Sequence, residues 1–165
     1  ARSLRHDNLH SALVKLVSAM AAAASTKRDG AVPPGREQPG GDTPERRVVA
    51  LNKRVHDLVA SLAPAELLLE LKAKLSGSRP VFDLLLHAVA RTYTPRASLS
   101  AANAGQFADD ELVEMMASKM SVLQSNAHSC ANGLRVLFTL LRAEGNRDAL
   151  ARAGGCAAVC GAMAC

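Results

Sequence analysis

The stretch NAHSCANGLRVLFTLLRAEGNRDALARAGG, residues 126–155, decides the predicted fold. Apolar residues in its first half recur at steps of three and four, so they share one side of a helix. These residues are Cys130, Leu134, Leu137, Phe138 and Leu141. Asn126 is suited to cap the start of this helix, and Gly145 with Asn146 predicts its end and the start of the next one.

The second half of the stretch predicts a short helix over residues 146–153, with Ala149 and Leu150 on its apolar side. Gly154 and Gly155 then allow a sharp turn before another helix, because glycine accepts left-handed backbone. A long helix, a turn and a short helix form one unit of a helical solenoid, which stacks on its neighbours and exposes an extended surface. We therefore predict an all-α fold, an α-solenoid, whose function is binding rather than catalysis.

The order NRDALARAGG after LRVLFTLL resembles the armadillo repeat family, and the resemblance covers residues 110–165. It implies that Asp110–Gln124 is the second helix of one repeat and that Asn126–Arg142 is its long third helix. Residues 146–165 would then begin a further repeat, which we expect to be incomplete. Its open end would need another repeat or a partner to cover Val159 and Met163.

The same resemblance implies a partner-binding groove on the long helix. Asn132, Arg135, Val136 and Thr139 would line it, because they lie one to two turns along that helix. Peptide-binding members of the family place a Trp and an Asn in this groove, where the present chain has Asn132 and Val136. That departure argues against a peptide groove of the nuclear-import type.

Breaks in apolar periodicity divide the chain into five segments. We predict an amphipathic helix in residues 1–24, a flexible Pro/Gly linker in 25–42, an array of three helices in 43–93, a second linker in 94–109 and the armadillo-like region in 110–165. The helical array is read as degenerate repeats, a capping unit or an unrelated small bundle. Asp109 is expected to cap the helix that follows it.

The positive charge of the chain is concentrated near its N-terminus. Residues 1–60 carry ten Lys or Arg against six acids, residues 61–109 five against four, and residues 110–165 five against five. A basic arm can touch phosphate, but it lacks the interleaved aromatics and the reading motifs of nucleic-acid-binding proteins. Nucleic acid is therefore a secondary partner class, and protein is the primary one.

No catalytic or metal-binding constellation is apparent in the sequence. Phosphate-loop motifs and HExxH are missing, and the five histidines are scattered, so we predict no enzyme activity and no cofactor. Cys156 and Cys160 are spaced as i and i+4, which a metal could use, but structural zinc sites usually take four ligands from tighter pairs. We interpret the cysteines as small apolar residues that fill helix contacts, and predict no metal site.

These observations lead to a non-enzymatic protein-interaction scaffold or assembly module as the expected function. The alternative is a structural subunit of a large complex that touches RNA through its basic N-terminal arm. No apolar run is long enough for a membrane span, which takes about 18 residues or more. We predict a cytoplasmic protein, with a mitochondrial transit segment as the alternative because Arg2 and Arg5 lie among serines near the N-terminus.

Overall fold

The computed structural model describes residues 2–28, 43–93 and 105–164 of the chain. These residues form eight α-helices and one 3-10 helix, with no strand among them, which confirms the all-α prediction. The helices are α1 (Arg2–Arg28), α2 (Pro44–Ala60), α3 (Pro64–Leu75), α4 (Arg79–Tyr93), the 3-10 helix Gly105–Phe107, α5 (Asp110–Leu123), α6 (Ala127–Leu140), α7 (Glu144–Arg152) and α8 (Gly155–Met163). None of the described helices is long and apolar enough to cross a membrane.

The chain separates into two compact units, residues 1–58 and residues 59–165. In the first unit, α1 begins at Arg2, as the predicted 1–24 helix requires, but it continues to Arg28 and so includes the first residues of the predicted linker. Residues 29–42 of that linker, and residues 94–104 of the second one, lie outside the described residues. The last turn of the second linker is ordered, because Phe107 is buried and meets the Tyr93 ring edge-on at 5.9 Å.

The helices of the second unit begin where local chemistry favours a start. The Asp109 side chain accepts a hydrogen bond from the Leu112 amide at the start of α5. Asn126 does the same for the amides of His128 and Ser129 at the start of α6. Both predicted caps are confirmed, and each satisfies amides that the first turn of a helix leaves without a backbone partner.

Helix α5 lies at the centre of the second unit and packs against α6, α7 and α8, while α4 packs along α6. The buried side chains that α5 contributes are mostly large and apolar, and they include Leu112, Met116, Met120 and Leu123. Gly154 ends α7 with a φ of 64°, in the left-handed region, as its position in the sequence predicts. Gly155 follows so close to Leu150 that no side chain would fit there without displacement.

One predicted boundary is wrong. Helix α7 begins at Glu144, so Gly145 and Asn146 lie inside it rather than between two helices. Asn146 is fully buried and caps nothing in its own helix. Its Nδ2 donates to the carbonyl oxygens of Phe107 and Leu140, both at 2.7 Å, and its Oδ1 accepts from the Asp109 amide at 2.8 Å. Asn146 therefore joins three separate segments of the unit.

Candidate protein-binding surface

The four residues predicted to line a groove do not share one environment. Asn132 and Val136 are each only 1% exposed, whereas Arg135 is exposed and Thr139 is half-buried. The Thr139 hydroxyl donates to the Arg135 carbonyl oxygen at 2.9 Å, so its polar group already has a partner within the helix. A partner could reach Arg135 and the edge of Thr139, while Asn132 and Val136 are covered by the protein itself.

Asn132 is buried where α4 packs along α6. The Asn132 Nδ2 atom lies 3.4 Å from the Nδ1 atom of His87, which belongs to α4. A solenoid can expose the inner face of its long helix only where no neighbouring helix covers it. In this unit α4 covers Asn132, and the exposed side of α6 is the one that carries Arg135.

Phe138 does not lie on the side of α6 that its spacing predicts. The spacing places it in the apolar stripe of α6, but 56% of it is exposed. Cys130 and Leu137 of the same stripe are buried, and Leu134 and Leu141 are half-buried. Phe138 follows Leu137 by one residue, which turns it about 100° further round the helix and beyond the edge of the buried face.

Arg135 and Phe138 lie three residues apart on α6, so their side chains are neighbours on its exposed face. We call these two residues, with the exposed Ala131 one turn before, the α6 surface. The Arg135 guanidinium forms no ion pair with any carboxylate of the described residues, unlike Arg152, which binds Asp110 at 2.9 Å. The α6 surface thus combines an exposed aromatic ring with a cation that has no counter-charge in the described parts of the chain.

The cysteines differ from their predicted role. Cys130 is buried, with its Sγ atom 3.5 Å from the Ala162 carbonyl oxygen, as expected for a small residue in a helix contact. Cys156 and Cys160 are exposed, so the prediction that they fill helix contacts is wrong for these two. Their helix α8 buries only Gly155 and Ala162, and the side chains between them point largely outwards. Cys165 lies outside the described residues.

No cluster of three or more His, Cys, Asp or Glu side chains within the described ranges is arranged to hold a metal ion. Met163 at the end of α8 is 68% exposed and Val159 is half-buried, so the apolar face of α8 is partly open. In comparisons with known proteins, no family model, curated protein or solved structure matches the chain.

Proposed function

We propose that the chain is a non-enzymatic protein-binding module built on an armadillo-like helical solenoid, and that the α6 surface contacts the partner. The observation that carries the proposal is the exposed Phe138 ring beside Arg135. Exposed aromatic and arginine side chains are the residue types that supply most of the binding free energy in protein interfaces. Single exposed apolar residues are common, so the argument rests on the pair and not on Phe138 alone.

Support for the solenoid comes from the order and packing of α5 to α8. Two helices of 14 residues precede two of nine residues, and each helix packs on helices close to it in the chain. Local stacking of this kind is the arrangement expected of helical repeats. The proposal of an armadillo-like repeat rests on this packing, on the order of the helices and on the sequence NRDALARAGG of residues 146–155.

The chemistry of the α6 surface indicates what its partner offers. A ring that is half exposed gains free energy by burial of its apolar area, at about 25 cal/mol per Å² removed from water. The Arg135 guanidinium presents several N–H donors in one plane, which suit a carboxylate. We therefore propose a partner segment in which an apolar side chain lies next to an Asp or Glu.

The test is recovery of partners from a cell extract by the immobilised full chain, followed by mass identification. Arg135→Glu and Phe138→Ala should each remove the same proteins from the recovered set, while the helical circular dichroism stays unchanged. Leu69→Ala is the matched control, because Leu69 is 65% exposed on α3, away from the α6 surface. A partner set that is identical for all four proteins would refute the α6 surface as the binding site.

Salt and nuclease separate this proposal from the alternative of a complex subunit that touches RNA. Contacts between basic side chains and phosphate weaken steeply with salt, because condensed counterions compete for the phosphate. Proteins that remain bound at high salt after nuclease treatment support the scaffold. Loss of the whole set under both treatments would show that the basic N-terminal arm carries the binding.

A further inference from the structure

Two histidines from different helices meet inside the second unit. The Nε2 atom of His128, near the start of α6, lies 3.2 Å from the Nδ1 atom of His87 on α4, and their ring centroids are 5.2 Å apart. His128 is exposed and His87 is half-buried, so water reaches one edge of the pair. The pair is not explained by the proposed function, because it lies where α4 covers α6.

The separation of the two nitrogens matches that of two ligands on one metal ion. Zinc binds imidazole nitrogen at about 2.0–2.1 Å in tetrahedral geometry, so two such nitrogens lie roughly 3.3–3.4 Å apart. A hydrogen bond between neutral rings accounts for the same distance, since one ring can donate and the other accept. The surrounding groups distinguish the two explanations.

Asn132 supplies the first of these groups. It follows His128 by four residues on α6, so both side chains lie on one face of the helix. Its Nδ2 atom is 3.4 Å from the same His87 nitrogen, and its Oδ1 atom is buried with no hydrogen-bond partner among the described residues. Amide oxygen and nitrogen have the same shape, so a half-turn of the Asn132 amide would place its oxygen 3.4 Å from the His87 Nδ1 atom, the nitrogen that the His128 ring also contacts.

Asp83 supplies the second group. It lies one turn before His87 on α4, and its Oδ1 atom is buried without a hydrogen-bond partner in the described part of the chain. Its Oδ2 atom is 3.7 Å from the Arg79 Nε atom, a long ion pair that neutralises it only in part. A carboxylate at this position favours a cation nearby, although it is not itself one of the ligands.

We propose that His87 Nδ1, His128 Nε2 and the Asn132 amide oxygen form a binding site for a divalent transition-metal ion. Imidazole and neutral oxygen ligands suit Zn²⁺, Ni²⁺ and Cu²⁺ better than Mg²⁺ or Ca²⁺. Water from the exposed His128 side completes the coordination. A bound ion would join α4 to α6, and so would stabilise the second unit.

The experiment is a calorimetric titration of the full chain with Zn²⁺. Cys156, Cys160 and Cys165 are replaced by Ser in every protein compared, so that thiolates do not bind the ion. We expect one site per chain and an affinity that falls by at least about tenfold in His128→Gln, because loss of even an outer-shell partner costs that much. His10→Gln is the control, since His10 is exposed on α1.

Asn132→Asp gives a second readout that a purely structural role would not produce. It replaces the amide with an anionic oxygen ligand, so the affinity for Zn²⁺ should rise. Equal affinities for the parent protein and His128→Gln, or no binding by the parent, would overturn the site and leave a simple hydrogen bond between the rings. An affinity that Asn132→Asp does not raise would overturn the assignment of Asn132 as a ligand.

Discussion

Replacement of Asn146 by Ala tests whether one buried side chain joins the second unit together. Asn146 is fully buried, and its amide bonds to the backbone of Phe107, Leu140 and Asp109. Leu140 keeps a partner after the substitution, because its carbonyl oxygen also accepts from the Ala143 amide at 3.1 Å. The Phe107 carbonyl oxygen and the Asp109 amide each lose their hydrogen bond to the Asn146 side chain.

The magnitude follows from those two backbone groups. An unsatisfied buried donor or acceptor costs about 1–3 kcal/mol. Phe107 is buried, whereas Asp109 is half-buried and water can reach its amide in part. We therefore expect Asn146→Ala to lower the free energy of unfolding by roughly 2–4 kcal/mol. Asn126→Ala, which removes an exposed helix cap, should cost only about 1 kcal/mol.

The assay is urea unfolding followed by tyrosine fluorescence. The chain has one Tyr and no Trp, so the signal comes from Tyr93 in the second unit. Hydrogen exchange of the Asp109 amide provides a local readout, because that amide loses its acceptor in Asn146→Ala but not in Asn126→Ala. If Asn146→Ala destabilises the unit no more than Asn126→Ala does, the reasoning from buried backbone groups is wrong.

Three further predictions concern stability and ionisation. Gly155→Ala should lower the free energy of unfolding by about 1–3 kcal/mol in the same urea assay, because the new methyl group would overlap the Leu150 side chain and would also lie 3.0 Å from the Leu150 carbonyl oxygen. Gly105→Ala places its methyl group in open space and should be neutral, and equal effects of the two substitutions would contradict this expectation. Burial raises the pKa of the Tyr93 phenol above its ordinary value of 10.0. The second unit should therefore lose stability as the pH rises past that value, and an ultraviolet titration that gives Tyr93 an ordinary pKa would refute this prediction. Hydrogen bonds to Asp109, and to a smaller extent to Glu111, raise the pKa of Lys72. Lys72→Gln should lower the free energy of unfolding by about 0.5–1 kcal/mol, and by less at high salt, whereas a salt-independent loss would exclude the ion pairs as its cause.

Local signals predicted the helices well because they act within a few residues. Asp109 and Asn126 cap the helices that follow them, and Gly154 ends α7 in the left-handed conformation, which glycine adopts without steric cost. Each of these outcomes depends on the residue and its near neighbours.

The role of Asn146 shows where such signals fail. An Asn after a Gly has the same local appearance whether it caps a helix or is buried within one. The difference arises because the 3-10 helix Gly105–Phe107 and the end of α6 present carbonyl groups to it. Those groups are 39 and six residues away in the chain, so no local pattern identifies them.

By itself, the sequence determined the all-α class, the helix starts at Asp110 and Ala127, and the apolar period of α6. Only the tertiary structure decided that α4 covers Asn132, that Phe138 is exposed and that His87 meets His128. The physical reason is the distance along the chain over which each kind of interaction acts. Backbone hydrogen bonding and capping are settled within a helical turn, whereas burial depends on which distant helix packs on each face, and the period of one helix does not specify its neighbour.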